Sequence, residues 1–341
     1  MGPGPSREPP VHRPMPIPNW THKPYFRYNG HISGCRSASW PSRAEAIEHT
    51  RTNFLEPNTR YTNSALRPGD PDRNPGRPVA EFITTVVSND WVNDEYKHLI
   101  LTVHEHALRA YAGQMFHLLC PSPDGAEVWM RRPMSVYRVD KAASQLEFLY
   151  KVEGRGTRGT SLLRRGDDFN IAGPLGVGFR LQTHWKSIVV LGRGVGLATL
   201  APLSQLAAAA GIGVTAILSA RNREVVMSRE LFEGVGARTI TVLDTDGTSA
   251  LENVERILVS LIEEGRADAF FTCGSNRLLK LMQTLGRKYG VPGQVAVEQL
   301  MVCGIGACYV CVRTFLVNGE RVLKRVCRDG PVFDIQEAVG W

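Results

Sequence analysis

Residues 303–311 read Cys-Gly-Ile-Gly-Ala-Cys-Tyr-Val-Cys, and a further cysteine follows at position 327. Gaps of four residues, then two, then a longer return are typical of a plant-type [2Fe–2S] site. Such a loop must curl around a small, negatively charged core, and Gly304 and Gly306 permit the tight turns that this requires. The stretch therefore predicts a two-iron cluster with four ligands, Cys303, Cys308, Cys311 and Cys327.

Two other uses of cysteine compete with this prediction. A structural zinc site usually takes its cysteines as two short pairs, whereas here one ligand stands alone. Disulfides need an oxidising compartment, and the odd count of seven cysteines without a secretion-type N-terminus argues against one. A zinc-stabilised, non-catalytic scaffold stays open as an alternative.

The bulk composition excludes several classes of protein. A chain of 341 residues is long enough for two or three domains. The longest apolar stretch, residues 188–210, is interrupted by Arg193 and Pro202, so we expect no membrane span. The net charge is +7, but no nucleic-acid-binding signature accompanies it. We expect a cytoplasmic protein that binds no nucleic acid.

Residues 1–78 predict an extended N-terminal arm. They hold 14 of the 21 prolines, and eleven Lys or Arg against six Asp or Glu. Such a segment cannot bury enough apolar surface to fold alone. Its seven aromatic residues nevertheless suggest that it wraps a partner subunit or the rest of the chain. A short helix is expected from Ser42, with Glu45 in the capping-box position, and His31 and Cys35 form a weak candidate pair of metal ligands.

The pattern of predicted secondary structure changes twice in the central part of the chain. Short β-rich runs at residues 82–87, 98–103, 115–120, 135–139 and 145–152 are spaced as in an antiparallel barrel. From Ser187 the pattern becomes strand, glycine turn and helix, with a helix expected over residues 197–210 and further strands at 211–218, 239–243 and 269–273. That alternation predicts a parallel sheet covered by helices.

Three segments could bind phosphate groups. The turn with Gly192, Gly194 and Gly196 follows a strand and opens a helix, where free N–H groups can meet a pyrophosphate. It lacks the complete dinucleotide fingerprint, and Ser219, Arg221 and Arg223 stand where an acid would end the next strand. These arginines are compatible with a 2′-phosphate, as in NADP, or with plain solvation. The other two segments are 131–137, with arginine beside serine, and the glycine-rich loop 154–161.

Taken together and in order, the motifs resemble the ferredoxin-reductase superfamily, most closely the electron-transfer subunits of class B dihydroorotate dehydrogenases. The resemblance covers about residues 79–341. The motifs that carry it are Arg132-Pro133-Met134-Ser135, Leu149-Tyr150-Lys151, Gly156-Thr157, the run 173–179, Cys273-Gly274-Ser275-Asn276, the run 298–308 and the run 327–333.

The resemblance implies a multidomain α+β fold. An FAD-binding antiparallel β-barrel would span residues 79–183, a Rossmann-like NAD(P)-binding α/β domain 184–291, and a small [2Fe–2S] module 292–341, with the arm at 1–78 in front. It also implies an NAD(P)-linked oxidoreductase subunit in a hetero-oligomer with a second redox subunit. Flavins exchange electrons in pairs or singly, and so connect a nicotinamide to an iron–sulfur cluster.

The resemblance also implies residue roles. Arg132 to Ser135 would hold the flavin phosphate and ring edge, with Leu149 to Lys151 nearby, and Gly156 and Thr157 would hold its pyrophosphate. Gly192, Gly194 and Gly196 would bind the nicotinamide dinucleotide, whose ring would meet the flavin at Cys273 and Gly274. No side chain is expected to act as a catalytic acid, base or nucleophile.

Two departures from the family pattern leave the partner open. The arm is foreign to the family, and Arg193 interrupts its usual run of glycines. The same module could serve another complex, such as a soluble hydrogenase or a sulfur reductase.

Overall fold

A computed structural model describes residues 79–340. The expected arm, with the helix at Ser42 and the pair His31 and Cys35, lies outside the described residues. No helix between residues 79 and 340 is long and apolar enough to cross a membrane.

The described chain contains strands and helices in the following order. The strands are β1 (Ala80–Trp91), β2 (Tyr96–Thr102), β3 (Met115–Leu118), β4 (Arg132–Ser135), β5 (Arg138–Asp140), β6 (Gln145–Lys151), β7 (Asp168–Leu175), β8 (Ser187–Arg193), β9 (Gly213–Ala220), β10 (Arg238–Leu243), β11 (Ala269–Cys273), β12 (Gly293–Ala296), β13 (Val312–Val317), β14 (Glu320–Arg325) and β15 (Val332–Asp334). The α-helices are α1 (Arg155–Thr160), α2 (Gly196–Ala209), α3 (Arg229–Gly234), α4 (Leu251–Glu263), α5 (Asn276–Tyr289) and α6 (Val326–Asp329).

The first sheet is antiparallel, with the seven strands in the order β4-β3-β7-β1-β2-β6-β5. Alternate residues of β3 and β6 are buried in one core. Two of them, Phe116 and Phe148, are fully buried and stack edge to face. The sheet curls until β4, at one edge, contacts β6 near the other. The antiparallel barrel is therefore confirmed as a half-barrel.

The single strand expected over residues 135–139 is wrong, because the chain changes partners there. Strand β4 pairs with β3 at one edge of the sheet, and β5 pairs with β6 at the other. Between them, the N–H of Val136 donates to Gln114 O at 3.0 Å, and that of Tyr137 to Glu147 O at 2.9 Å. An unbroken β-rich run cannot reveal such a crossing, since propensity does not specify the partner strand.

The second sheet has six strands in the order β10-β9-β8-β11-β12-β15. The first five are parallel, and β15 runs antiparallel to β12. Residues 188–191 of β8 are completely buried, as expected for a central parallel strand with helices on both faces. The expected α/β architecture is confirmed, and the direction of connection reverses between β8 and β11, where open sheets of this kind bind ligands.

The C-terminal segment is shared between two structures. Strands β12 and β15 extend the parallel sheet, whereas β13 and β14 form a separate hairpin. The cysteine loop runs from β12 to β13, and Cys327 lies in the short helix α6 that follows the hairpin. The loop is thereby joined to the α/β sheet at one end, through β12, and to the hairpin at the other, through β13. The domain boundaries given above remain predictions.

We predict that Gly159→Ala destabilises the protein by about 1–3 kcal/mol, because overpacking a dense site forces neighbouring groups apart. Gly159 lies in α1, and a Cβ there would overlap the carbonyl oxygen of Pro121. Denaturant unfolding measures the change in free energy.

Gly234→Ala is the matched control. Nothing lies within 4 Å of a Cβ built at this position, so its free energy of unfolding should stay unchanged or rise by up to about 1 kcal/mol. Equal effects at the two sites would contradict the close contact between α1 and residue 121.

Candidate functional site

The cysteine loop is shaped to hold anionic sulfur. Gly304 and Gly306 have φ angles of +71° and +83°, which favour glycine. The loop thereby turns its N–H groups inward, and those of Ala307 and Cys308 donate to Cys303 Sγ at 3.3 and 3.4 Å. Main-chain donors aimed at sulfur are what a sulfide cluster with thiolate ligands requires.

The electrostatics of Cys303 fit a thiolate ligand. Partial burial opposes ionisation, but the N–H groups of Cys308, Ile305 and Ala307 donate to the sulfur and lower the pKa of Cys303 to about 6. A metal ligand of this type must be deprotonated, so the loop favours the required state before any metal arrives.

The four predicted ligands come together in two pairs. The side chains of Cys303 and Cys308 interact directly, as do those of Cys311 and Cys327. The N–H of Cys327 also donates to Cys311 Sγ at 3.4 Å. Cys311 and Cys327 are buried, whereas Cys308 is exposed. The loop therefore presents one pair toward the protein interior and places a cysteine of the other pair at the surface.

This pairing fits a two-iron cluster better than a single metal ion. A structural zinc ion needs about four ligands around one point, whereas each iron of a [2Fe–2S] cluster takes two protein ligands. The residues present thus match the two-iron arrangement.

The loop is seated against the half-barrel and against its own return segment. A Cβ at Gly304 would lie 2.8–3.0 Å from three ring atoms of His117 in β3, and one at Gly306 would lie 2.7 Å from Arg328 Cδ. Arg325 donates to Gly306 O at 3.2 Å and lies 5.3 Å from the ring centroid of Tyr309. These contacts bring the cysteines beside the strand pair β3 and β4.

Strand β4 carries the predicted flavin motif beside α1. Arg132 Nη1 donates to the carbonyl oxygens of Trp129 and Met130 at 2.9 and 2.8 Å. A Cβ at Gly156 would lie 2.9 Å from Arg132 Nε, so the guanidinium rests directly on the start of α1. The glycine-rich segment is therefore a short helix rather than the loop expected from the sequence. Thr157 forms its cap, because its Oγ1 accepts from the N–H groups of residues 153 and 154 at 3.0 and 3.1 Å.

The other end of the motif joins the two domains. Ser135 Oγ accepts a hydrogen bond of 3.0 Å from the Thr199 hydroxyl in α2. In the ladder between β4 and β3, Pro133 pairs with His117 and Met134 pairs with Phe116. Strand β4 therefore runs from its contact with α1 to the first helix of the α/β domain.

The residues of the motif 149–151 have three different environments. Leu149 is buried in a core that it shares with the α/β domain. Tyr150 is fully buried in the half-barrel, and its hydroxyl donates to Asn89 Oδ1 at 2.9 Å. Lys151 forms ion pairs with Glu95 and Glu153 at 3.5 and 3.8 Å. The Tyr150 side chain is thus committed to the core, and its main chain pairs with Lys97 of β2.

The glycine turn and the motif 273–274 meet at the end of the parallel sheet. A Cβ at Gly196 would lie 2.5 Å from Cys273 O, and one at Gly274, where φ is +88°, would overlap Arg193 O. A Cβ at Gly192 would lie 2.8 Å from Leu197, and Gly194 lies beside the hydroxyl of Tyr96. Burial raises the pKa of Cys273 far above its usual range, so its thiol stays protonated and serves as packing.

Arg193, which stands between Gly192 and Gly194, links the ends of two neighbouring strands, β9 and β10. It donates to Ser219 Oγ at 3.0 Å and to the two carboxylate oxygens of Asp244 at 3.1 and 2.5 Å. Hydrogen bonds from Arg193 lower the pKa of Asp244. Arg221, in turn, forms an ion pair with Glu95.

The sequence analysis missed several residues at this site. Asp244 directly follows β10, Thr199 sits in the first turn of α2, and His117 interrupts an apolar strand. For Asp244 and His117 the sequence did offer a signal of a functional residue, since one is a polar residue at a strand end and the other a polar residue inside an apolar run. Their partners are distant in sequence, so the signal did not reveal what they contact.

The chain is similar to known proteins in sequence and in fold. Residues 298–339 match the family described as the iron–sulfur cluster binding domain of dihydroorotate dehydrogenase B. The electron transfer subunit of dihydroorotate dehydrogenase B (NAD(+)) from Enterococcus faecalis is 32% identical over 232 residues, which cover 67% of this chain and 86% of the relative. That of Geobacillus sp. is 32% identical over 261 residues, which cover 75% of this chain and 97% of the relative.

The chain belongs to the family of dihydroorotate dehydrogenase B electron transfer subunits. Like them it is an NAD(P)-linked oxidoreductase subunit, and its cofactors are FAD, a [2Fe–2S] cluster and NAD(P). It transfers electrons as one part of a complex with a second redox subunit.

Solved structures agree with the fold. The structure of an NADH-dependent reduced ferredoxin–NADP oxidoreductase superposes with a TM-score of 0.65 at 24% identity, covering 75% of this chain and 89% of that one. Ferredoxin–NADP+ reductase from Plasmodium falciparum gives a TM-score of 0.51 at 12% identity, covering 67% of this chain and 99% of that one. The described domains therefore have the ferredoxin-reductase-like fold.

We predict that Cys311→Ala loses the cluster, because one iron would then have a single protein ligand. Iron content should fall from about two atoms per chain to near zero, together with the visible absorbance of the cluster. Cys120→Ala is the control, since Cys120 is buried in the half-barrel core. Full iron content in Cys311→Ala would refute the assignment.

We also predict that Gly274→Ala slows reduction of the bound flavin by NADH by about 10- to 100-fold, because a displacement of about 1 Å at a reacting site has such effects. Stopped-flow absorbance measures the rate, with flavin content checked beforehand. Cys273→Ala should change the rate by less than about tenfold. A larger loss in Cys273→Ala than in Gly274→Ala would give the thiol a chemical role.

Proposed function

We propose that this chain carries electrons between NAD(P)H and a dihydroorotate- or dihydropyrimidine-type dehydrogenase subunit. One observation carries the proposal. The cysteine loop packs on β3, the strand adjacent to the flavin motif of β4, and β4 in turn bonds to α2 of the nucleotide domain. Three candidate redox sites therefore follow one another along a continuous set of contacts.

We assign the binding roles as follows. Arg132 and Gly156 hold the flavin phosphates with a guanidinium and a closely approaching main chain, and Ser135 contacts the ring edge. Gly192, Gly194 and Gly196 shape the turn at the start of α2 that binds the nicotinamide dinucleotide, and Gly274 packs against this turn where the nicotinamide ring would meet the flavin. Cys303, Cys308, Cys311 and Cys327 hold the cluster. The flavin, when bound, accepts an electron pair and releases electrons singly.

The remaining contributions of the protein are positional. The hydrogen bond between Thr199 and Ser135 keeps the nucleotide domain against the flavin strand. Buried Cys273 excludes water without supplying a charged group. None of the described side chains in this region is assigned as a catalytic acid or base, which suits a subunit whose partner performs the substrate chemistry. We retain the domain boundaries 79–183, 184–291 and 292–341 as part of this proposal.

We further propose that the partner subunit docks over the cysteine loop. Apolar side chains around the exposed Cys308 remain open to solvent, with Leu300 81%, Ile305 50%, Tyr309 54% and Val310 49% exposed. Several large apolar side chains exposed along one loop are a feature of interaction surfaces. Docking here would bring the acceptor of the partner to the cluster. A cytoplasmic location is consistent with the free thiols of the six described cysteines.

We predict that Leu300→Lys weakens binding of the partner by about 30-fold or more, as for a buried interface anchor. Reduction of a small dye by NADH should stay unchanged, because the change does not touch the flavin site. Ile83→Lys is the control, since Ile83 is 67% exposed on β1 of the half-barrel. Equal binding by both variants would exclude docking over the loop.

The identity of the partner tests the physiological substrate. Affinity purification of the full chain from its own cells, followed by mass spectrometry, should recover a flavoprotein dehydrogenase that oxidises dihydroorotate or a related dihydropyrimidine. Recovery of a hydrogenase or a sulfur reductase would instead assign the module to another complex. The 78 residues that precede the family match favour keeping that alternative in the experiment.

A further inference from the structure

His117 is an imidazole in an otherwise apolar strand. It lies in β3, opposite Pro133 of the flavin strand β4 and Ala172 of β7. Its exposed fraction is only 1%. Met115, two residues earlier on the same face, packs in the core that contains Cys311 and Cys327. The imidazole therefore points from the flavin sheet toward the cluster module.

The ring of His117 contacts the cysteine loop directly. A Cβ built at Gly304 would lie 2.8 Å from Cε1 and 3.0 Å from each ring nitrogen. Three ring atoms at nearly equal distances mean that the imidazole presents its face or its Cε1 side to this glycine. Gly304 follows Cys303, the first predicted ligand, so the imidazole lies next to the cluster position.

One nitrogen of this imidazole has no partner. His117 Nε2 is buried and makes no hydrogen bond to any described protein atom. A buried polar atom without a partner is costly and rare in folded proteins. The missing partner is expected to be a group that the folded, loaded protein holds at this position.

The imidazole is suited to donate a hydrogen bond. Burial, and secondarily the charge of Arg131, lower the pKa of His117 to about 4. Arg131 also donates to His117 O at 3.3 Å and pairs with Glu81 at 2.6 Å. The ring is therefore neutral at physiological pH and carries one N–H. An anionic acceptor nearby favours the tautomer with the proton on Nε2.

We propose that His117 donates its Nε2–H to a sulfur atom of the bound [2Fe–2S] cluster and thereby raises the reduction potential of that cluster. This inference rests on the cluster site proposed above. The hydrogen bond stabilises the added negative charge of the reduced state, which is how donors to sulfur tune such clusters.

The flavin is the weaker candidate for the acceptor. Ser135, the residue assigned to the flavin ring edge, lies opposite Met115, two residues from His117 along the strand. The ring nitrogens instead lie against Gly304 of the loop. The two acceptors predict different changes in potential, so one experiment separates them.

His117→Gln and His117→Met form a matched pair of similar size, of which only glutamine retains an N–H donor. A redox titration monitored by electron paramagnetic resonance measures the cluster potential of the full chain. We expect a more negative cluster potential in His117→Met, a value near that of the wild type in His117→Gln, and unchanged flavin potentials in both. His184→Met, at an exposed histidine before β8, is the control.

Four other outcomes are possible, and each has a distinct meaning for the proposal. Equal cluster potentials in His117→Met and His117→Gln, with full iron content, would overturn it while leaving the cluster site intact. A shift confined to the flavin would assign the hydrogen bond to the flavin. Absence of a cluster signal in the wild type would instead refute the cluster site. Loss of the cluster in His117→Met alone would support a donor that is also needed for assembly, and the labelling experiment below then decides.

Isotope labelling provides a readout that a purely structural role would not produce. Pulsed electron paramagnetic resonance of the reduced cluster, in protein containing ¹⁵N-histidine, should detect one weakly coupled histidine nitrogen. The chain has nine histidines, so the signal is assigned by its loss in His117→Gln. A wild-type spectrum without histidine coupling would overturn the proposal.

Discussion

Close packing of other segments against the main chain at glycine positions is the constraint on which this structure depends. Gly196 lies against Cys273 O, Gly274 against Arg193 O, and Gly304 against the ring of His117. Each contact joins segments that are distant in sequence, and a Cβ would push them apart. Electron transfer needs its redox groups near one another, so these approaches link the backbone directly to the function of the family.

Apolar packing in shared cores also holds the flavin strand, the glycine turn and the cysteine loop together. Tyr96 and Leu149 of the half-barrel are buried in one core with α2, while Met115 and Leu175 share another core with Cys311 and the helix α5. Interfaces between domains usually stay more polar and allow motion. Here the shared cores fix the distances between the flavin strand, the glycine turn and the cysteine loop.

Charged groups adapt the shared fold to this sequence. Arg193 stands inside the glycine turn, yet it is neutralised by Asp244 and anchored to Ser219. The pair spans the ends of β8, β9 and β10 beside the expected dinucleotide. The glycine turn can accommodate the charged side chain of Arg193, because both of its partners, Asp244 and Ser219, come from strand ends on the same edge of the sheet.

The sequence by itself determined the antiparallel arrangement of the first sheet, the parallel second sheet and the cysteine spacing, since these depend on local periodicity and on fixed gaps between ligands. Only the tertiary structure decided that residues 135–139 cross between sheet edges, that residues 155–160 form a helix, and that His117 meets Gly304. Pairing partners and buried polar contacts involve residues far apart in the chain, and no local pattern encodes which of them meet.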